Sequence, residues 1–575
     1  MCGIFAYFDK DGISDYKCTE TIAHRGPDET RSVKPCKTVQ LVFHRLAING
    51  LSAVAGQPFF TQDHKVYLLA NGEIYNHVVL ENHIASVGAE PTGSDCEVIL
   101  DLYLAYGIKE TANRLDGEFA FCIIDLRIGK IFTCRDHVGV RSLYYLKAPG
   151  KFAVCSELKG LPGVGGPLDC RPVDQFPNRH YGTYDMNTEE FIVQPYDTFF
   201  TCPVLDGHGH GDGELKHIKV IQERLTNAVK KRLMCDRRTV DGGPAIGCFL
   251  SGGFDSSLIS ALAQDFSDAP IHTFSIGFKG APDLIAAREV SSYIGALHHE
   301  YIVTPEYMLS LIPEVIRQIE SYDITSVRAS TFMYALSKYI REEFPDIVVL
   351  LSGEGPDEAS GSYMYFYNSP DHESFRKETM RLLDDLRYFD CLRCDKSTAG
   401  HSLEVRVPFL DSSFLTYYML NVHPKFKLIP RNADGSGGVE KYILRKAFSK
   451  YLNKKGEPIL PDRIIWRPKE AMSDGVSLHD EGLSWFQIIQ SHISTKKRAT
   501  QYCNPFKPSG VPSSPSGVQL EREWYRDIFN YYYPGCSHLV PYYWLPRWSY
   551  DADGRPVEDP SARVLSVYRG EVPSP

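Results

Sequence analysis

The sequence predicts two domains of different fold class. A sheet-rich α+β domain occupies roughly the first 200 residues, and an α/β domain built on a parallel sheet follows it. Three observations carry this prediction. At 575 residues the chain exceeds what one hydrophobic core ordinarily organises. Its N-terminal part alternates short period-two apolar runs with polar turns and holds only two clear helical stretches. Beyond residue 214, apolar runs of strand length alternate with helical patterns, which argues parallel strands joined by crossover helices, with ligands at the carboxyl ends of the strands.

Composition narrows the function classes. The net charge is -10, from 62 basic and 72 acidic residues, and no basic cluster stands out, so a nucleic-acid partner is not expected. No run approaches eighteen consecutive apolar residues, so no membrane span is expected. The N-terminal stretch lacks the basic start and long apolar core of a signal peptide, and a cytoplasmic location is the expectation. Fifteen scattered cysteines, an odd number, read as reduced thiols. Cys391-x-x-Cys394 has no second pair nearby and sits in a helical pattern, so zinc is not expected there. His208-Gly-His210 falls in a Gly/Asp-rich stretch that reads as linker.

In the first domain, residues 1–8, 39–43, 66–70, 121–125, 130–134 and 143–146 read as strands, and 76–87 and 95–106 as helices. Cys2 follows the initiator methionine. A side chain that small permits methionine removal, which leaves a thiol nucleophile with a free α-amine beside it as a built-in base. Polar turns end the strands: His24-Arg25-Gly26-Pro27-Asp28, His44-Arg45-Leu46-Ala47-Ile48-Asn49, Asn71-Gly72-Glu73-Ile74-Tyr75-Asn76 and Thr92-Gly93-Ser94-Asp95.

These segments, with Cys2-Gly3-Ile4, resemble the class II glutamine amidotransferase domain, an N-terminal-nucleophile hydrolase with a stacked αββα fold. The resemblance implies that Cys2 attacks glutamine. Arg45 would hold the glutamine carboxylate, and Asp95 its ammonium, with Glu73 close by. Leu46, Ala47, Ile48 and Asn49 would supply further contacts. The Asn71 side chain and the Gly72 N–H would form the oxyanion hole, where losing one donor typically costs on the order of 10²–10³ in rate. Ala47-Ile48-Asn49 departs from the family's usual Ser-Ile-Val/Ile-Asp, a change that backbone contacts would survive. This domain is assigned to 2–197 and a linker to 198–213.

The second domain, 214–500, opens with a helix at 214–233. A strand at 245–250 then breaks at Ser251-Gly252-Gly253-Phe254-Asp255-Ser256-Ser257 and a helix follows. Strand, glycine turn and helix N-terminus make an anion nest, but the lysine of a Walker loop is absent. The turn resembles the PP-loop of ATP pyrophosphatases. Strands at 272–278, 300–303 and 347–351 alternate with helices at 283–296, 305–319 and 329–343. A second turn, Ser352-Gly353-Glu354-Gly355-Pro356-Asp357-Glu358, ends the last strand. Asp323-Ile324-Thr325-Ser326-Val327-Arg328, Glu404-Val405-Arg406-Val407-Pro408, Glu440-Lys441 and Arg467-Pro468-Lys469 complete a set that resembles the asparagine synthetase B family over most of 1–480.

That resemblance implies the substrates ATP, L-glutamine and L-aspartate, an aspartyl adenylate, and ammonia passed between two sites. Ser251, Gly252, Gly253, Ser256 and Ser257 would hold the pyrophosphate portion of ATP. Leu250 and Ile276 would meet the adenosine end, along with Ser352 and Gly353. Asp255 and Asp357 would hold Mg²⁺ as hard oxygen ligands. Lys469 would neutralise pyrophosphate, Glu354 would take a proton from the attacking nitrogen, and Arg328 and Thr325 would meet the α-phosphate. Pro356, Ser362 and His401-Ser402-Leu403 depart from the family pattern without removing a charged group. Rival readings are an amide ligase acting on another carboxylate, of the β-lactam synthetase kind, and a non-catalytic paralogue. Cys2 counts against the first and the complete set of charged residues against the second. Residues 501–575 are expected to form a partly mobile surface tail without chemistry, and homodimerisation is left open.

Overall fold

The computed structural model of the chain describes residues 1–13, 18–83, 92–163, 172–197, 213–431, 437–468, 475–477, 484–499, 516–550 and 554–561. Twelve strands build the first domain: β1 (Gly3–Asp9), β2 (Glu29–Cys36), β3 (Val39–Arg45), β4 (Phe59–Phe60), β5 (Val66–Ile74), β6 (Gly117–Asp125), β7 (Lys130–Arg135), β8 (Tyr144–Ala148), β9 (Lys151–Cys155), β10 (Val173–Gln175), β11 (His180–Asp185) and β12 (Phe191–Pro195). They form two six-stranded sheets, ordered β10-β8-β9-β1-β3-β2 and β12-β11-β7-β6-β5-β4.

Strand alternation explains why both sheets are buried. In β5 and β6, Tyr67, Leu69, Ala120, Cys122 and Ile124 face the other sheet, where they meet Ile4, Ala6 and Phe8 of β1. Their neighbours Leu68, Ala70, Phe121 and Ile123 pack outward against Ile99 and Leu102 of a helix. The helices of this domain are α1 (His77–Glu81) and α2 (Val98–Arg114); α2 is kinked at Gly107. On the far side, Phe5, Tyr7 and Val42 join one apolar cluster with Ile312, Ile316 and Ile319 of the second domain. That continuity docks the two domains through apolar packing.

The second domain carries a five-stranded all-parallel sheet, β15-β14-β13-β16-β17, from β13 (Ile246–Phe249), β14 (His272–Phe278), β15 (Leu297–Val303), β16 (Val349–Leu351) and β17 (Glu404–Arg406). Its helices are α3 (Gly213–Lys231), α4 (Phe254–Phe266), α5 (Pro282–Ile294), α6 (Pro305–Ile319), α7 (Ile324–Glu343), α8 (Pro356–Ser360), α9 (His372–Asp385), α10 (Asp390–Ala399), α11 (Ser412–Asn421), α12 (Pro424–Lys427), α13 (Tyr442–Phe448), α14 (Asp462–Ile465), α15 (Trp485–Ala499) and α16 (Gly517–Tyr532). The strand order reverses between β13 and β16, and the two glycine turns stand at the carboxyl ends of these strands, where open α/β sheets bind ligands. Among the described residues no helix is long and apolar enough to cross a membrane.

The C-terminal region differs from the expected surface tail in its described part. A capping box of Ser516 and Gln519 starts α16, which buries Val518, Tyr525 and Phe529 in the cluster that also holds α6 residues. Aromatic residues at helical spacing give α16 an apolar stripe to bury. The expected linker lies almost wholly outside the described residues.

Buried charges pin the domains together. Glu118 on β6 accepts from Arg232 Nε at 2.8 Å, Arg141 Nη2 at 3.1 Å and the Val407 N–H at 3.1 Å. Arg25 donates to Glu157 at 2.7 Å and to Asp395 at 3.1 Å. Arg406 meets Glu73 at 3.0 Å and Glu404 at 2.8 Å. Removing one partner of such a pair leaves an uncompensated interior charge, at a cost of about 3–5 kcal/mol. Glu118→Ala is therefore expected to lower the unfolding free energy of the whole chain by that order, read from denaturant unfolding curves, whereas an unchanged unfolding curve would show the interface network to be dispensable.

Candidate functional site

Two cavities gather the residues singled out in the sequence. The first, of about 30 Å³, is lined by Cys2, Arg45, Asn49, Gly72, Glu73 and Asp95, among others, and also by Glu404 from β17. Leu46 and Ile48 line it too. Ala47 does not; its N–H donates to Asp28 at 2.8 Å and holds the loop in shape.

The cavity follows from strand ends. Cys2 immediately precedes β1, and its thiol lies 3.7 Å from the Leu46 carbonyl just past β3. Burial pushes the thiol up to about 11. Gly72 on β5 has φ +147°, and a Cβ there would lie 2.0 Å from the Glu118 carbonyl oxygen, so only glycine fits against β6. Asn71 beside it is fully buried, stands outside the cavity lining, and neither its amide nitrogen nor its oxygen has a partner. Arg45 donates to the carbonyls of Ser52, at 2.9 Å, and Gly50.

Three carboxylates share this cavity. Burial lifts Asp95 to about 6 even though it accepts the Ile74 N–H at 2.6 Å. Burial, with the Asp95 charge beside it, also raises Glu73, although Arg406 opposes the shift. Glu404 goes the other way: burial opposes ionisation, yet Arg406 and Arg141 hold it at about 2. Met1 is completely buried beside these groups, with its amine 3.8 Å from Glu404.

The second cavity, of about 300 Å³, opens at the carboxyl ends of β13 and β16. Leu250, Ser251, Gly253, Asp255, Ser256, Ile276, Thr325, Arg328, Ser352, Gly353, Glu354 and Asp357 all line it, so the sequence motifs converge. Gly252 and Ser257 do not line it; the Ser257 hydroxyl is buried without a partner. Lys469 lies outside the described residues. The first turn is held by its own hydroxyls, since Ser251 N–H donates to Ser256 Oγ at 3.1 Å and the two hydroxyls lie 3.0 Å apart. Gly253 caps α4, whose N-terminus presents electropositive amides. The second turn is pressed against the first: a Cβ on Gly353 would lie 2.7 Å from the Ser256 nitrogen.

Asp255 and Asp357 converge on one cation, Lys441, which the sequence places in the Glu440-Lys441 segment without a role. Its ammonium lies 2.6 Å from Asp357 and also bonds Asp255. Ser362, one of the departures, donates its hydroxyl to Asp357 and so orients it. Pro356 takes the first position of α8, where a missing N–H is tolerated. Glu354 is paired with Arg393 at 2.9 Å, and Arg393 is shared with Asp390 at 2.7 Å. The sequence assigns no role to Arg393, Asp390 or Lys441; their convergence identifies all three. Arg328, expected at the α-phosphate, donates instead to Glu521 at 2.7 Å and Asp559 at 2.9 Å. Cys391 and Cys394 are free buried thiols in α10, and among the described residues no group of three or more His, Cys, Asp or Glu side chains is arranged to hold a metal.

Comparison with known proteins matches residues 1–188 to the glutamine amidotransferase domain family and residues 220–380 and 368–505 to the asparagine synthase family. The chain is 39% identical over 594 residues to a glutamine-hydrolysing asparagine synthetase of Bos taurus, covering 99% of each. It is 39% identical to the protein of that name from Gallus gallus and 38% identical to that from Homo sapiens, covering 100% of each chain in both cases.

One carboxyl group gives a pH test of the second cavity. Burial, then the charges of Asp390 and Asp357, push Glu358 up to about 8, and Tyr363, which lines the cavity, donates to it. A carboxyl raised from its ordinary 4.5 binds its proton more tightly when folded, so its contribution is complete below 4.5 and is lost as pH rises through 8. Wild-type stability, relative to Glu358→Gln, is expected to fall between those limits. Parallel stability–pH curves for the two proteins would count against the assignment.

Proposed function

The chain belongs to the glutamine-hydrolysing asparagine synthetases, and we propose that it makes L-asparagine from L-aspartate and ATP with nitrogen released from L-glutamine at Cys2. The observation that carries the reading is the coexistence of a buried thiol cavity and a glycine-turn cavity in one chain, joined by Glu404–Arg406. A cytoplasmic setting accords with the eleven free thiols among the described residues.

At the first cavity, the Cys2 sulfur attacks the glutamine amide carbon. A thiol raised by burial needs a base at hand, and the α-amine exposed by methionine removal supplies one, later returning the proton to departing ammonia. The Gly72 N–H and the unpartnered Asn71 amide suit the oxyanion. Arg45 receives the glutamine carboxylate in exchange for the loop carbonyls of Gly50 and Ser52. Asp95 and Glu73 gain a counter-ion when the glutamine ammonium arrives, which favours their ionised forms. Water then hydrolyses the thioester to glutamate.

At the second cavity, an aspartate side-chain oxygen attacks the α-phosphorus of ATP. The bond to pyrophosphate breaks and aspartyl adenylate forms. Ammonia adds to the acyl carbon, Glu354 accepts the proton it sheds, and AMP leaves. Arg393 fixes the Glu354 carboxylate, and Arg393 and Asp390 offer one charge of each sign to the acceptor zwitterion. Asp255 and Asp357, hard oxygen donors that already bracket a single cationic ammonium, would hold Mg²⁺. Bound there, it would neutralise phosphate charge. Neutral ammonia can cross an apolar interior that would exclude ammonium.

Cys2→Ala is expected to abolish glutamine-dependent asparagine formation while ammonia-dependent formation persists; loss of both activities would overturn this division of labour. For glutamine hydrolysis, kcat/KM should fall on the acid side of an apparent pKa near 6, as Asp95 takes up a proton and loses its hold on the ammonium. A profile flat from pH 5 to pH 7 would remove Asp95 from that role.

A further inference from the structure

One wall of the 300 Å³ cavity comes from neither glycine turn. Pro560 and Ser561, far along the C-terminal segment, line it together with Trp544. Ser561 is 6% exposed, and its hydroxyl has no partner. Its backbone N–H donates to Asp559 at 2.9 Å, which closes the chain into a turn. Thr325, in the first turn of α7, lines the same cavity, and its hydroxyl is also without a partner. Two hydroxyl donors in a cavity built for a nucleotide call for an acceptor, since a buried polar group left unmade costs stability.

The turn is fastened down. Arg328, three residues beyond Thr325 on α7, forks onto Asp559 through Nη1 and Nη2 at 2.9 and 3.0 Å. It forks a second time onto Glu521 of α16 through Nε and Nη2 at 2.9 and 2.7 Å. Gln490 of α15 adds bonds of 2.9 Å to Asp559 and 3.1 Å to Glu521. Two carboxylates on one guanidinium leave Arg328 without net positive charge to offer a phosphate. Its geometry instead ties α7, α16 and the 559–561 turn into one body.

We propose that the turn Asp559–Ser561 is part of the adenylate site, where the Ser561 hydroxyl, paired with that of Thr325, donates to the α-phosphate of the acyl adenylate while Arg328 acts as the positioning residue that fixes the turn. This rests on reading the cavity as the synthetase site. The pyrophosphate already has the amides and hydroxyls of the 251–257 turn, and the adenosine end has Leu250 and Ile276. The α-phosphate carries a single negative charge after pyrophosphate leaves. It must stay bound through ammonia attack and then depart with AMP, and neutral hydroxyl donors suit that better than a fixed cation would.

The test uses full-length Ser561→Ala, Arg328→Lys and the double variant, assayed for single-turnover pyrophosphate release with aspartate, ATP and ammonia, and separately for glutamine hydrolysis. Ser561→Ala is expected to slow adenylate formation roughly 10- to 100-fold, toward the lower end of what losing one oxyanion donor costs. Glutamine hydrolysis and Tm should be unchanged, and Ser561→Thr should recover most of the rate. Because Arg328 acts through the turn, the double variant should fall short of the product of the single effects. An unchanged rate for Ser561→Ala, or fully multiplicative effects, would overturn the proposal. A rise confined to the KM for aspartate would also overturn it, placing the hydroxyl on the acceptor carboxylate. Failure of the unmodified chain to release pyrophosphate with aspartate would instead overturn the synthetase reading itself.

Discussion

The molecule depends on one buried guanidinium. Arg406, at the end of β17, is completely inaccessible and meets Glu404 at 2.8 Å, Glu73 at 3.0 Å and the carbonyls of Arg232 and Met234 at 2.9 and 2.5 Å. An interior cation is tolerated only when its donors are matched, so each partner is fixed by the others. Glu73 lines the thiol cavity. The Arg406 carbonyl, in turn, accepts the N–H of Ser352, the first residue of the turn that carries Glu354 and Asp357. One side chain and its own backbone therefore span from one cavity to the other, and the relative placement of the two active sites follows from matching that residue.

The electrostatics of the two cavities share a logic. In the first, burial raises Asp95 and Glu73. In the second, Asp255 and Asp357 are already bridged by Lys441, and Glu354 by Arg393. The first cavity thus holds acids that burial makes harder to ionise, whereas the second holds its acids paired with cations. This difference suits the chemistry: one site must bind a zwitterion and release a neutral gas-like product, and the other must gather several negative charges without repelling them.

Departures from a family pattern acquire meaning only in three dimensions. Ser362 stands where glycine is usual, and its hydroxyl orients Asp357. Pro356 fits the first position of α8, where its rigid φ is already helical. Arg328 was legible as a charged residue beside Thr325, but its two carboxylate partners lie some two hundred residues downstream on segments that read as tail. No local pattern announces such a pairing, because a lone Glu521 within an aromatic helix looks like any solvated acid.

The sequence by itself determined whatever is coded within a few consecutive residues. That includes the cysteine at position 2, the glycines that permit close backbone approach, the alternation that makes two packed sheets, and the β/α rhythm that places both glycine turns at one edge of a parallel sheet. These are short-range consequences of sterics and periodicity. The tertiary structure decided which charges meet. Glu404 in the thiol cavity, Lys441 between the two aspartates, Arg393 on Glu354 and Ser561 on the wall of the second cavity have partners that their places in the chain do not reveal. They matter because packing carries them across tens to hundreds of residues into low-dielectric contact, where an unmatched charge or hydroxyl is costly and a matched one is held in place.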